Sequence, residues 1–348
     1  MKVVQVVKRF GLCGGMEEYA YRLTNELSTL GVKVQVVCEQ KVHEPEDEIV
    51  QISELGKSLD KPRWLSHLLF AKKVRNWERL HAQRDTIIHS HERIDCHHLT
   101  TIHSTLYNFP SRRKLPSLRN YFNEYIESRE LNSSSVQKIV PVSKLIAEQI
   151  ETKHAGVSHR LVAPISPGVS HINAVKKELK LESPVIGFMG KEWNRKGLPK
   201  VIEIWRQFRK EYPLARLCLA GFPIDEPIGI SEDELKFVDL VGYVGRKEDF
   251  YEKIDILLHP AKREAYGMVV AEALHAEVPV LCSSECGASI HVPQGICSTL
   301  SFESQTDLWV QHLKKILEQS HLDQLPSFSH PWANVAIDYL SAYESVLL

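Results

Sequence analysis

Five absences narrow the field before any motif is read. No run of about 18 apolar residues occurs, so no segment reads as a membrane-spanning helix. Charge of one sign is not in excess: 43 Lys and Arg stand against 44 Asp and Glu, a formal net charge of −1, and no global field draws in nucleic acid. The seven cysteines contain no C-x-x-C pair, which suits free, mostly buried thiols in a reducing cytosol. Cys282 and Cys286 are close, but one such pair alone does not make a metal site or a disulfide. The glycine fingerprint G-x-G-x-x-G is missing after the first strand-like run, where Gly11, Gly14 and Gly15 have the wrong spacing. That weakens a nicotinamide reading with Glu39 as the ribose acid. The opening MKVVQVV enters a strand pattern at once, without a signal peptide's apolar stretch and cleavage site, so the expected location is cytoplasmic.

What is present is the composition of a globular protein, 43% apolar and 25% charged, in a chain of 348 residues that suits two cores better than one. Valine-rich runs alternate with helical periodicity. Residues 3–7 read as a buried strand, and the helix after them carries Ala20, Leu23, Leu27 and Leu30 on one face before Gly31 stops it. Residues 32–38 form the next strand, giving a parallel βαβ unit. Further strands are expected at 86–91, 99–104 and 138–143. Prolines, serines and a glycine at 164–175 mark a boundary, and the alternation restarts. Strands at 185–190, 215–221, within 236–244, and at 256–260 and 278–282 flank two helices. One runs over 198–213 with Val201, Ile204, Trp205 and Phe208 on one face, and the other over 267–277. The expected division is 1–165, 166–330 and a C-terminal helix over 331–348. In two such α/β domains facing one another, ligands bind beyond the strand ends, in the cleft.

Two strand-end loops carry the chemistry. Strand 256–260 leads into a loop holding Glu264 and then a helix opening at Gly267 and Met268, whose first amides can hold phosphate. Glu272 lies about a turn and a half into that helix, where a carboxylate can accept both hydroxyl hydrogens of a ribose. Glu264, at loop level, can accept from sugar hydroxyls. After strand 185–190, Lys191, Arg195 and Lys196 crowd one loop, where cations would neutralise a diphosphate leaving group. Taken singly, each loop reads first as solvated surface; together they aim at one ligand. Gly14 and Gly15 between the first strand and its helix let something pack on the backbone. Residues 89–105 hold five histidines, without a carboxylate or cysteine at convincing zinc spacing. His103, at a strand end, reads as a polar contact or proton relay. Residues 61–80 are basic and amphipathic, with Trp64, Leu65, Leu68, Leu69 and Phe70 apolar, and 110–120 adds four basic residues. This stretch reads either as a surface for anionic lipid or as a core-packing helix with a solvated basic face.

These residues together resemble family 4 of the retaining glycosyltransferases, an α/β GT-B fold of two Rossmann-like domains. The wording is most similar to the bacterial lipopolysaccharide core glucosyltransferases. The family's E-x7-E corresponds to Glu264 and Glu272. NRKG matches its donor-phosphate lysine at Lys196, GGMEE its glycine-rich first loop, and TIHST its strand-end histidine, here His103. The helix around Trp332 resembles the family helix that crosses back to the first domain. Two departures stand out. Lys191 occupies a place where the family often has arginine, and SECGASIHV has only Gly287 where a glycine pair and a later glutamate are common. The resemblance implies a UDP- or GDP-sugar donor in the C-terminal domain. Its ribose would meet Glu272, its diphosphate Lys196, Arg195, Lys191 and the Gly267–Met268 amides, and its sugar Glu264. The acceptor, a saccharide or lipid-linked saccharide, would meet Gly14, Gly15 and His103. The reaction would retain configuration and need neither metal nor cofactor, with Glu264 and His103 as catalytic residues, no nucleic-acid partner, and contact with the inner face of the cytoplasmic membrane. The competing classes are a nicotinamide-dependent oxidoreductase, a non-catalytic sugar-nucleotide binder, and a phosphorylase or synthase on the same fold.

Overall fold

The structure, a computed structural model, describes residues 1–81, 85–107, 118–174, 180–320 and 328–347. Two compact units divide the chain: Met1–Gly168 with His330–Leu348, and Val169–Ser329.

The first unit contains β1 (Lys2–Val6), β2 (Arg9–Phe10), α1 (Gly15–Thr29), β3 (Lys33–Cys38), β4 (Gln40–Lys41), β5 (Gln51–Glu54), α2 (Arg63–His81), β6 (Thr86–Ser90), β7 (Leu99–Ile102), α3 (Leu118–Asn132), β8 (Lys138–Pro141) and α4 (Lys144–Lys153). Six of these strands form one sheet in the order β5-β3-β1-β6-β7-β8, every pair parallel. Val3, Val4 and Val6 are fully buried, because a parallel sheet covered on both faces has no wet side and branched apolar residues fill it. Gln5 breaks that run and is equally buried.

The second unit contains β9 (Val185–Met189), α5 (Leu198–Phe208), β10 (Arg216–Ala220), α6 (Glu232–Leu235), β11 (Val238–Gly242), α7 (Lys247–Tyr251), β12 (Ile256–His259), α8 (Met268–His275), β13 (Val280–Ser283), β14 (Ser298–Leu300) and α9 (Thr306–Gln319). Its sheet order is β11-β10-β9-β12-β13-β14, again all parallel. Counted in chain order within each sheet, both units read 3-2-1-4-5-6, the doubly wound order. Val201, Ile204, Trp205 and Phe208 face one core with Phe188, Leu258 and Trp309.

The helix α10 (Trp332–Leu347) belongs to the first unit. Val335, Ala336, Tyr339 and Tyr343 are buried, and Trp332 meets Tyr19 of α1 edge-on at 5.2 Å.

Three local expectations change. Leu30 is not on the buried face of α1; it lies beyond the helix and is 44% exposed, while Gly31 takes a positive φ of 79° to turn the chain. The helix expected over 198–213 ends at Phe208, and Tyr212 folds back to stack on Phe208 at 4.4 Å. In α2 the core face is Phe70, Ala71, Val74 and Trp77, so only Phe70 of the expected apolar set is fully buried. Trp64 stacks on Phe122 of α3 at 4.2 Å, and Arg75 joins Arg129 in pairing with Asp95, so Arg75 is not part of an open cationic face. The basic residues of 110–117 lie outside the described residues.

Candidate functional site

In the second unit β9 and β12 are neighbours at the point where strand order reverses. Loops 190–197 and 260–267 therefore leave adjacent strand ends. Glycine holds them together. Gly197 caps α5 with φ +88°, and a Cβ there would lie 1.8 Å from the Pro260 carbonyl oxygen. No other residue fits that position. The Lys262 amide donates to the Arg195 carbonyl at 3.0 Å, and the Lys196 stem crosses Gly190, where a Cβ would lie 2.3 Å from its Cδ.

This packing brings three of the residues singled out from the sequence together. Arg195 Nη1 lies 3.3 Å and Lys196 Nζ 3.4 Å from the same Glu264 oxygen. The Glu264 backbone is tied on both sides: its amide donates to the Glu285 carbonyl at 2.9 Å and its carbonyl accepts from the Gly287 amide at 3.1 Å. Burial alone would raise the Glu264 pKa, but Lys196 and Arg195 outweigh it and hold the carboxyl below its ordinary value. The group is an anion clamped between two cations. Lys191 is exposed at the start of its loop.

At the head of α8, Gly267 is the N-cap with φ +94°, and a Cβ there would lie 2.4 Å from Cys286 Sγ. Met268 is the first helical residue. Burial pushes the Cys286 thiol up to about 12, so it is no nucleophile at neutral pH. All seven cysteines are free thiols. One turn further on, Glu272 is only 4% exposed. Its Oε1 accepts from Lys247 Nζ at 2.7 Å and its Oε2 from the Tyr251 hydroxyl at 2.9 Å. Sequence reading passed over Lys247 and Tyr251; both lie on the five-residue α7, too short for a periodicity signal. His259, the last residue of β12, is fully buried. Burial, followed by the field of Lys196, lowers its pKa to about 3, and neither ring nitrogen has a hydrogen-bond partner among the described residues.

In the first unit, Gly14 is the extended N-cap of α1 and Gly15 its first residue. A Cβ at Gly15 would meet nothing within 4 Å, and one at Gly14 would meet the flexible end of Glu17, so internal packing demands glycine at neither place. His103 directly follows β7, with Nε2 2.9 Å from His91 Nδ1. Of the five histidines, His91 and His103 bond to each other, His89 bonds to Tyr343 and Thr101, and His98 accepts from the Ile88 amide. Among the described residues no group of three or more His, Cys, Asp and Glu is arranged to hold a metal ion.

Residues 13–171 match the model for Glycosyltransferase Family 4, and residues 171–327 match that for Glycosyl transferases group 1. The chain belongs to this glycosyltransferase family. By sequence it is similar to the lipopolysaccharide glucosyltransferase WaaG of Escherichia coli, 28% identical over 162 residues, covering 45% of this chain and 43% of that one. A second relative is the alpha-monoglucosyldiacylglycerol synthase of Acholeplasma laidlawii, 24% identical over 159 residues, covering 41% and 40%. The chain thus spans less than half the length of these curated relatives. Among solved structures, that of WaaG superposes with a TM-score of 0.76 at 16% identity, covering 99% of this chain and 97% of the other. The Anabaena protein HepE in complex with UDP-glucose gives 0.66 at 13% identity, covering 99% and 100%. These likenesses establish the GT-B fold. Group 1 glycosyltransferases use nucleotide-sugar donors. The family match does not favour the nicotinamide reading. No helix among the described residues is long and apolar enough to cross a membrane.

Proposed function

We propose that the second unit binds a UDP- or GDP-sugar and that the protein moves its hexose to a saccharide or lipid-linked saccharide acceptor, retaining the anomeric configuration, in the synthesis of a lipopolysaccharide or other cell-surface glycan. The observation that carries this reading is the convergence of Lys196, Arg195 and Glu264 at the switch point of a doubly wound sheet. A diphosphate there draws Lys196 and Arg195 from Glu264, and the two cations, with the Gly267–Met268 end of α8, stabilise the charge that develops on the leaving group. Lys191, in the same loop, adds a third cation. Glu264, released from its pairs, accepts from hydroxyls of the transferred sugar. Each Glu272 oxygen accepts one hydrogen bond within the protein and keeps a second lone pair, which leaves capacity for ribose hydroxyls. In the first unit, Gly14 and Gly15 offer bare backbone to the acceptor, and His103 meets a sugar hydroxyl.

No residue in this scheme forms a covalent sugar intermediate, so attack proceeds on the face from which the nucleotide departs. Fixed cations and helix amides carry the leaving-group charge, so the scheme assigns no step to a metal or other cofactor. The proposed place of action is the cytoplasm, at the inner membrane face, with α2 and the basic stretch at 110–120 as the contact with anionic lipid.

The test is turnover with a panel of UDP- and GDP-sugars, cell-surface glycan acceptors and EDTA, with the product anomer read by NMR. Transfer with retention is the expected result. Binding without turnover across the panel would support a non-catalytic binder, and transfer to free phosphate a phosphorylase.

A further inference from the structure

The first unit contains a buried chain of polar groups that the proposed reaction does not by itself require. His103 Nε2 lies 2.9 Å from His91 Nδ1, and His91 Nε2 lies 2.7 Å from Gln5 Oε1. Gln5 Nε2 lies 3.0 Å from the Tyr343 hydroxyl, which lies 2.8 Å from His89 Nδ1. His89 Nε2 lies 2.7 Å from Thr101 Oγ1, and Thr101 Oγ1 lies 2.7 Å from the Tyr339 hydroxyl. Tyr339 lies 2.9 Å from the Tyr19 hydroxyl, which lies 3.1 Å from the backbone carbonyl of Ile165. The strands β1, β6 and β7 and the helices α1 and α10 all contribute.

The Gln5 amide sets the polarity of the half that reaches His103. Its nitrogen donates to the Tyr343 hydroxyl and its oxygen faces His91 Nε2. An amide oxygen only accepts, so His91 carries its hydrogen on Nε2. His91 Nδ1 is left as an acceptor, and His103 must donate to it from Nε2. Tyr343 accepts from Gln5 and turns its own hydrogen to His89 Nδ1, so His89 carries its hydrogen on Nε2. At the far end the Tyr19 hydroxyl is the donor toward both the Ile165 carbonyl and Tyr339, and either Thr101 or Tyr339 can donate to the other. Burial favours the neutral form of all three rings, lowering His103 to about 3 and placing His89 and His91 well below the ordinary histidine value. Among the described residues nothing bonds to His103 Nδ1.

We propose that Gln5 and His91 are positioning residues that hold His103 as the Nε2–H tautomer, so that its Nδ1 offers a lone pair to a hydroxyl of the bound sugar or acceptor. The substrate-facing role of His103 rests on the function proposed above; the tautomer does not. His103 is then an acceptor only. It orients a hydroxyl by accepting its hydrogen bond, and it does not donate to a carbonyl or ring oxygen. Tyr339 and Tyr343 make α10 a structural part of this arrangement, 338 residues along the chain from Gln5 in the case of Tyr343.

The deciding experiment is nitrogen-15 NMR of histidine-labelled full-length protein, with His103 assigned by comparison with His103→Gln. The expected spectrum shows pyrrole-type Nε2 and pyridine-type Nδ1 for His89, His91 and His103. A pyrrole-type Nδ1 at His103 overturns the proposal. His91→Phe removes the acceptor and should leave His103 a mixture of tautomers; an unchanged His103 also overturns it. His91→Asn, with its amide oxygen near the former Nδ1, should restore the Nε2–H form. In turnover, His91→Phe should lower kcat about tenfold, the size of one hydrogen bond, with nucleotide affinity unchanged, and His91→Asn should recover most of it. Equal loss in both variants would mean that His91 only fills space. If His91→Phe does not fold, the wild-type spectrum alone decides. If the wild type transfers no sugar, the proposed function fails while the spectrum still decides the tautomer.

Discussion

The two units share a strand order and differ in what they place at the strand ends. In the second unit the first and fourth strands of the sheet, β9 and β12, end in a charged triad, Lys196 and Arg195 around Glu264. In the first unit the ends of β6 and β7 carry His91 and His103, which burial keeps neutral and which are joined in a relay. A buried histidine ends or follows the fourth strand in both: His91 has a partner at each nitrogen, His259 at neither among the described residues. The scaffold does not dictate chemistry; the loops after its strands do. Charge that can exchange one partner for another suits a departing diphosphate. A neutral chain of fixed polarity suits the orientation of a hydroxyl.

Four substitutions probe the difference between the two units. Glu264→Gln should lower turnover by about 10²–10³, as removal of a group that acts in the transition state does, while nucleotide affinity stays level or rises because Lys196 loses its internal counter-ion and Arg195 keeps only Glu192. A tenfold weaker nucleotide affinity in that variant would contradict the clamp. Gly197→Ala forces a Cβ onto the Pro260 carbonyl at a positive φ; it should cost about 1–3 kcal/mol in chemical denaturation and weaken nucleotide binding through displaced Lys196. Unchanged stability would show that the two loops are not locked. Glu272→Ala should weaken nucleoside diphosphate binding about tenfold, roughly the worth of a charged hydrogen bond. Wild-type affinity would reduce Glu272 to an internal anchor for Lys247 and Tyr251.

The smallest effect tests the first unit's polar interior. Burial raises Glu130 to about 8, against opposing pulls from Arg93 and Thr100. Its folded pKa exceeds its unfolded value, so its contribution to stability is full below about pH 4.5 and is lost as pH rises through about 8. Glu130→Gln should flatten the fall in Tm across that window, gaining ~2–4 °C at its alkaline end. An identical pH slope in the variant would remove Glu130 from the account.

Much of this could be read from the sequence, for physical reasons. Buried parallel strands demand runs such as the valines of β1, and the glycine and proline punctuation marks where they stop. The α5 face of Val201, Ile204, Trp205 and Phe208 follows from helical spacing alone. Glu264, Lys196 and Gly267 stand out because their loops follow apolar strands. What stays hidden depends on tertiary distance. Lys247 meets Glu272 across 25 residues from a helix of one turn, and nothing local in the sequence marks it. The pairing of Glu264 with both cations needed the Gly197–Pro260 contact. The histidine relay left one visible trace, the lone polar Gln5 inside a run of valines, and its partner Tyr343 stands at the other end of the chain.

The charged triad of the second unit, in the proposed reaction, receives a nucleotide diphosphate. The decisive test is calorimetric titration of UDP and GDP into the wild type and into Lys196→Ala, with EDTA throughout. Saturable binding of one nucleotide by the wild type is expected, with an affinity about 100-fold lower in the variant, the loss of a charged contact to phosphate. Equal affinity in both proteins, or no saturable binding of either nucleotide by the wild type, would contradict it.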